Sequence, residues 1–385
     1  MTRSYRIVRR IRREILQGLH GGGGDRFLTV RDLAAGSGVS LSTAHKVITQ
    51  LKGEGLLVAD STNPAIINPE VVQRRSAAAE NRPRRLGLLV ANIASPFFGS
   101  LCRQVQQAGL DLGYQVLAAS SEYDFSQEQR AIEGFLSIGM EGLLVCPGLA
   151  DNCATMYRDL LGRGVPIVFI SRWDPEIDAD YVVAHSFVGA AAVAGHLLSI
   201  GYRSFGYIAF GPRLKRDARL NGFRSALAEE GIALAPENVA SGDGRDIEHG
   251  YRAMAALMES AERPRAVLAY NDLLAIGALR YCHDRGISVP GDVAVAGFDN
   301  LPESRVTTPP LTTVDYGVES MARLAVWTLL DRIRNPRRSL SRTLLEPHLI
   351  VRQSTDPEAL RPSAAGGACC GNPAVSTQSS TMREE

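Results

Sequence analysis

Residues 86–120, LGLLVANIASPFFGSLCRQVQQAGLDLGYQVLAAS, contain a complete strand–helix–strand unit. Leu86 to Ala91 is a near-continuous apolar run, the mark of a strand buried on both faces rather than one facing water. The helix predicted over 97–112 places Leu101, Val105, Ala108 and Leu112 at spacings of 4, 3 and 4, which makes one apolar stripe. A second apolar strand, QVLAAS at 115–120, closes the unit. Two strands joined through a helix pair in parallel, and the helix covers a sheet face, so this stretch points to an α/β layer architecture.

The same rhythm continues down the chain. Strands are predicted at 142–146, 166–170, 205–210, 266–270 and 293–297, with helices near 126–138, 152–163, 188–200, 216–231, 248–262 and 272–286. These are enough units for two doubly wound parallel sheets. A division near residue 185 gives two similar lobes, tied by a return of the chain near 300–330. In open α/β sheets, ligands bind just beyond the carboxyl ends of strands. That rule marks Ser95-Pro96-Phe97-Phe98, Ser171-Arg172-Trp173-Asp174, Arg213, Lys215, Arg216 and Arg219, Asn271-Asp272, and Asp299-Asn300. Aromatic faces beside Arg, Asn and Asp suit a small polyhydroxylated ligand, which stacks through its C–H faces and offers hydroxyls to planar donors. Competing readings are core packing for Phe97, helix capping for Asp272, loop stabilisation for Asp299 and plain solvation for Lys215 and Arg216.

Ahead of this body lies a different kind of segment. Residues 4–18 put Ile7, Val8, Ile11 and Ile15 on one helical face with arginines around most of the rest, and the glycine run 21–24 ends the helix as a linker. Thr29 is placed to cap a short helix through Ala35, and Gly36-Ser37-Gly38 to turn the chain. Ser40 then caps a helix to about Lys52, in which Ala44, Val47, Ile48 and Leu51 face inward. Ser42, Thr43, His45 and Lys46 are left outward. Two helices joined by a short Gly-containing turn, the second with small polar and basic outward residues, describe a helix-turn-helix. The apolar stretches 56–59 and 65–68 flanking Asp60 to Pro64 read as a hairpin wing. Arg31, Ser42, Thr43, His45 and Lys46 are the candidate DNA contacts, Lys46 as a phosphate contact because those are the majority class.

Charge supports this division. The 385 residues carry a formal net charge of +1, yet residues 1–85 hold 15 Lys+Arg against 7 Asp+Glu, and the other 300 hold 27 against 34. A basic head on an acidic body is the footprint of a nucleic-acid reader joined to something that need not touch nucleic acid, although a solvated basic helix would look the same by charge alone. Hydrophobic content of 45% and charged content of 22% exclude a wholly disordered, collagen-like or coiled-coil chain. No apolar run approaches the ~18–20 residues that span a bilayer, and no secretory signal is present, so a cytoplasmic location without membrane attachment is expected. The six cysteines show no CxxC pair and read as buried thiols plus a tail pair at Cys369-Cys370.

The head resembles the winged-helix domain of the GntR family through Thr29-Val30-Arg31-Asp32-Leu33-Ala34, Gly38-Val39-Ser40 with Thr43, and Leu51 with Glu54-Gly55-Leu56. Leu41 stands where GntR relatives often carry Arg, and the wing lacks their usual glycine and basic residues. The body resembles the effector domain of the LacI/GalR regulators, which share the periplasmic-binding-protein fold. The matching pieces include Ser95-Pro96-Phe97-Phe98, Met140-Glu141-Gly142, Arg219 with Gly222-Phe223, Tyr270-Asn271-Asp272, Gly297-Phe298-Asp299 and Pro310-Leu311-Thr312-Thr313. By position, this resemblance implies effector contacts from Phe98, Arg172, Arg219, Asn271, Asp299 and Tyr316. Ser171 and His185-Ser186 replace commonly acidic positions.

The expected architecture is therefore a winged helix-turn-helix domain at 1–70, a linker at 71–85, a two-lobed, doubly wound, periplasmic-binding-protein-like domain at 86–358 and a disordered tail at 359–385. The expected function is that of a homodimeric repressor on a pseudo-palindromic double-stranded DNA operator, tuned by a carbohydrate effector held at Phe98, Ser171, Arg172, Arg219, Asn271, Asp299 and Tyr316. A solute-binding protein for transport is the alternative; it accounts for the body but not the head. An enzyme is not expected, since no GxSxG, GxxxxGK[ST], HExxH or strand-linked GxGxxG occurs, and neither cofactor nor metal is implied.

Overall fold

The computed structural model describes residues 3–356 apart from 17–18, 23, 61–62, 71–83, 149–152, 212–213, 215–216 and 243. Most of the predicted linker, the tail with Cys369 and Cys370, and Arg213, Lys215 and Arg216 lie outside the described residues. The chain divides into two compact units, Met1–Pro83 and Arg84–Glu385.

In the first unit, α1 (Arg3–Leu16), α2 (Val30–Ser37) and α3 (Leu41–Gly53) are followed by an antiparallel hairpin, β1 (Leu57–Asp60) and β2 (Asn63–Ile67). The helix starts are set by side chains. Thr29 accepts a hydrogen bond from the Asp32 N–H while Asp32 accepts from the Thr29 N–H, a reciprocal cap, and Ser40 accepts from the Thr43 N–H. Gly38 ends α2 at φ +61°, a left-handed conformation that suits glycine. Ile7, Val8, Ile11 and Ile15 bury against Leu33, Ala44, Val47 and Leu51 in one core. Arg12 donates through Nε to Glu54 Oε2 at 2.9 Å, pinning α1 to the end of α3. The glycine run does more than link. Gly24 donates to the Ile67 carbonyl at 2.9 Å and Phe27 to that of Ala65 at 2.7 Å, so the chain after the glycines lies along the free edge of β2.

The second unit opens with β3 (Arg84–Val90), α4 (Pro96–Asp111), β4 (Tyr114–Ser120), α5 (Phe125–Ser137), β5 (Gly142–Val145), α6 (Cys153–Gly162), β6 (Ile167–Ile170) and β7 (Asp180–Ala184). It continues through α7 (Ser186–Ser199), β8 (Phe205–Ile208), α8 (Ala218–Glu229), β9 (Val239–Ala240), α9 (Ile247–Glu259), β10 (Ala266–Ala269), α10 (Asp272–Asp284) and β11 (Ala294–Ala296). It closes with β12 (Thr313–Asp315), α11 (Val318–Arg334), β13 (Arg342–Leu345) and β14 (His348–Ile350). The first lobe holds a six-stranded sheet of order β13-β7-β6-β5-β3-β4 and the second a four-stranded sheet of order β11-β10-β8-β9, both parallel throughout. Strands β3, β5, β6, β8 and β10 are buried almost throughout, which is why the sequence shows them as unbroken apolar runs.

Three features depart from the sequence reading. Arg84 and Arg85, assigned there to the linker, begin strand β3, with the Arg84 guanidinium 5.6 Å from the centre of the Tyr114 ring on β4. Strands β7 and β13 extend the first sheet beyond the four predicted strands. The returning chain therefore reaches past 330: α11 packs on β5, β6 and β7 of the first lobe, and β13 adds the sixth strand. Asp180 fastens this return, accepting from Arg332 at 2.8 and 3.1 Å, from Arg338 at 3.0 and 3.1 Å, and from the Ser341 N–H at 2.7 Å.

Asp272, the first residue of α10, is wholly buried. It accepts from Thr313 Oγ1 at 2.6 Å and from the Leu301 N–H at 2.8 Å. Burial, with the nearby Asp299 charge, pushes its carboxyl up to about 8. The folded state therefore holds this proton more tightly than the unfolded chain. Its contribution is complete below about pH 4 and is lost as pH rises toward about 8. Thermal unfolding of the wild type is expected to show a falling Tm across that window, and Asp272→Asn to flatten the slope. Equal slopes for the two proteins would refute the assignment. The four described cysteines, Cys102, Cys146, Cys153 and Cys282, are all buried, and none of them forms a disulfide.

Candidate effector cleft and DNA-facing helix

A cleft of about 840 Å³ lies between the carboxyl ends of the two parallel sheets, where the strand-end rule places ligands. Phe98, Ser171, Arg172, Arg219, Asn271, Asp299 and Tyr316, all singled out from sequence, line it. The first lobe contributes the N-terminal turns of α4 and the loop after β6. Phe97 and Phe98 are both nearly buried and pack edge to face with ring centres 5.0 Å apart, so each serves the core and the cleft wall together. Ser171 adopts φ +66°, a conformation uncommon for a residue with a Cβ. It brings Arg172 to the cleft, where Nη1 donates to the Pro147 carbonyl at 3.3 Å.

The second lobe centres on Arg219. Its helix, α8, starts where Asp217 accepts from the N–H groups of Arg219 and Leu220. One turn on, a Cβ at Gly222 would fall 2.1 Å from the Phe187 carbonyl oxygen, so α8 rests directly on the backbone of α7 and Arg219 is rigidly placed. The guanidinium lies 3.8 Å from the Phe298 ring centre and 4.3 Å from that of Tyr270, donates to the Tyr270 carbonyl, and meets Asp299 Oδ1 at 3.2 Å. Burial opposes the Arg219 charge, but Asp299 and the surrounding tyrosines outweigh it and hold the pKa above its ordinary value. Burial pushes the Asp299 carboxyl up against the pull of Arg219, and Tyr316 donates to it at 3.0 Å. Asp299 sits at φ +112°. A loop-stabilising role and a cleft role therefore coexist in Asp299.

Capping of α10 falls to Asn271 rather than Asp272. Its Oδ1 accepts from the Leu274 N–H at 3.0 Å, which leaves the Nδ2 end as the donor for the cleft. Sequence reasoning passed over Tyr123, Phe210 and Arg245. Tyr123 and Phe210 approach from opposite lobes, ring centres 5.8 Å apart, and Phe210 stacks on Tyr270 at 4.8 Å. Tyr123 follows the carboxyl end of β4, so the strand-end rule, applied to the second strand as well, would have found it.

In the head, Arg31, Ser42, His45 and Lys46 are exposed, as is Leu41 at the start of α3, with 56% of its surface open. Thr43 is half-buried, its hydroxyl 2.9 Å from that of Ser40, so it also serves the cap. Among the described residues no group of His, Cys, Asp and Glu is arranged to hold a metal ion, and no helix is long and apolar enough to cross a membrane.

A helix-turn-helix head followed by a two-lobed body with a ligand-sized cleft defines the class of effector-domain transcriptional regulators. A family profile described as a periplasmic binding protein-like domain matches residues 194–355. The repressor PurR of Erwinia tasmaniensis is 30% identical over 339 residues, 85% of this chain and 96% of that protein. A structure from Sanguibacter keddieii, described as a LacI-family regulator, superposes with a TM-score of 0.62 at 32% identity, covering 70% of this chain and 98% of the other. A regulator CelR in complex with cellobiose gives 0.64 at 29% identity, covering 85% and 99%. The chain belongs to the LacI family of transcriptional regulators.

Proposed function

We propose that this regulator is a homodimeric repressor whose hold on a pseudo-palindromic operator is set by a carbohydrate-like effector in the cleft between its lobes. The observation that carries the reading is the convergence of Phe98 and Arg172 from one lobe with Arg219, Asn271, Asp299 and Tyr316 from the other region of the cleft, on a chain that also carries a helix-turn-helix. The hairpin β1–β2 beside α3, together with the Thr29–Ala34 and Gly38–Ser40 motifs, supports a GntR-type winged head in place of the head usual among LacI relatives. The cellobiose found on the CelR relative supports a sugar-like effector class.

Half-sites about 10 bp apart, or a multiple of it, let both recognition helices of a dimer enter the major groove. An effector that discriminates two lobe arrangements by ~1–3 kcal/mol shifts operator affinity by roughly 5–150-fold. The test is recovery of genomic fragments bound by the purified protein, followed by fluorescence-anisotropy titration with and without sugars. Failure to bind any duplex in a salt-sensitive manner would refute it. Within that assay, Lys46→Ala and Arg31→Ala are each expected to weaken binding similarly on all duplexes and to reduce the salt slope by about 1, as loss of one phosphate contact requires. An unchanged slope would place either residue outside the interface.

A further inference from the structure

The carboxylates of the cleft already have partners. Asp217 accepts from the N–H groups of Arg219 and Leu220 and from Tyr207 OH, the last at 2.9 Å. Asp299 accepts from Arg219 and Tyr316, and Asp246 caps α9 by accepting from the His249 N–H at 2.9 Å. Glu248 lies near the rim, 3.9 Å from Arg280. Two cations are provided for differently. Arg172, in the first lobe, spends one N–H on the Pro147 carbonyl and forms no ion pair with any described residue. Arg245, in the second lobe, forms none either. Its guanidinium lies over the Tyr123 ring at 4.3 Å and near Phe210 at 5.7 Å, and its buried Nε–H has no hydrogen-bond partner among the described residues.

Both arginines line the cleft, and the charges of both act on the Tyr123 phenol. Arg245 of the second lobe lies against Tyr123 of the first, and Arg172 enters the same cavity from the first lobe. A guanidinium offers five N–H donors in a planar fork and no acceptor, and a buried donor without a partner is costly. Neutral hydroxyls satisfy such donors singly. A carboxylate or phosphate satisfies them in pairs and neutralises the charge.

Resting on the proposed effector cleft, we infer that the effector carries an anionic group, a carboxylate or a phosphate ester, gripped by Arg172 and Arg245. The remaining polar groups, Asn271 and the Arg219–Asp299–Tyr316 cluster, lie toward the strand ends of the second lobe and address hydroxyls. An anion held by both lobes binds their closed arrangement better than the open one, which gives it the differential affinity that any effector needs. A neutral sugar can accept from the Arg245 Nε–H but leaves both guanidinium charges without a counter-charge.

The test uses the full-length protein and sugars on shared skeletons: glucose, glucuronate and glucose 6-phosphate; arabinose and arabinonate; ribose and ribose 5-phosphate; and inorganic phosphate. Thermal unfolding and titration calorimetry are the readouts. The expected result is that at least one anionic sugar raises Tm by several degrees and binds at least ten times more tightly than its neutral parent, the acid and ester arms separating carboxylate from phosphate. Arg245→Met should then weaken that anion by about 10–100-fold, the range for hydrogen bonds to a charged group. Arg245→Lys, which keeps the charge but not the fork, should weaken it less. A neutral parent that binds as tightly as its anion, or an Arg245→Met variant within twofold of wild type, would overturn the assignment while leaving the effector cleft standing. No stabilisation by any anionic member, with duplex still bound, would overturn it too and leave the DNA-binding reading intact.

Discussion

Arg219→Met is expected to abolish the effector response and to destabilise the body by roughly 3–5 kcal/mol, the range found when one partner of a buried ion pair is removed. The two effects have separate causes. The response fails because the guanidinium is cleft wall and hydrogen-bond donor at once, fixed by α8, by the Tyr270 carbonyl and by two aromatic faces. The stability loss comes from Asp299, whose carboxylate is left buried with Tyr316 as its remaining donor. Burial already pushes the Asp299 carboxyl up, and losing Arg219 removes the charge that opposes this. The variant should therefore gain stability as pH falls and the carboxyl takes a proton, and should be least stable at alkaline pH.

A second substitution separates the causes. Arg219→Met with Asp299→Asn removes both charges, so the stability deficit should shrink while the effector response stays absent. Asparagine is chosen because position 299 has positive φ, which Asn tolerates better than most residues. The measurements are denaturant unfolding and effector titration of the operator complex. A single variant that still responds to effector would remove Arg219 from the site. A double variant no more stable than the single one would refute the account of the stranded carboxylate.

What sequence could and could not reveal follows from how each element is stabilised. Strands buried on both faces, such as β5, β6 and β8, must be apolar at every position, so their composition betrays them. Caps are equally legible, because Thr29 and Ser40 act on N–H groups only three residues away. Strand β13 was invisible. Its residues alternate between exposed and half-buried, and it pairs with β7 across more than 150 residues of sequence. Strand β9 is two residues long, too short for any period, so nothing marked the loop after it that carries Arg245. Six of the seven cleft residues are legible because a parallel sheet fixes where its strand ends converge, whereas Tyr316 is implied only by the resemblance to the LacI/GalR regulators. The contact between Tyr123 and Phe210 depends on how two lobes face one another, which no local pattern encodes.

The C-terminal return to the first lobe supplies the second large effect. Asp180→Ala should cost about 3–5 kcal/mol, because it leaves the guanidinium groups of Arg332 and Arg338, 13% and 17% exposed, without the carboxylate that both address. At roughly 2–4 °C per kcal/mol for a chain of this size, Tm should fall by about 6–20 °C. Burial alone would raise the Asp180 pKa, but the hydrogen bonds from Arg332, the Ser341 N–H and Arg338 outweigh it and hold the carboxyl below its ordinary value. That stabilisation is present above about pH 4 and fails as pH drops through the folded-state value, opposite in sign to Asp272. The loss should also be local. Strand β13 joins the sheet only through β7, beside Asp180, so amide exchange at Arg342–Leu345 should accelerate more than in β3 or β5 at the sheet centre. A Tm within 2 °C of wild type, or exchange that rises evenly across the sheet, would show that α11 packing alone secures the return and that the Asp180 cluster is incidental to it.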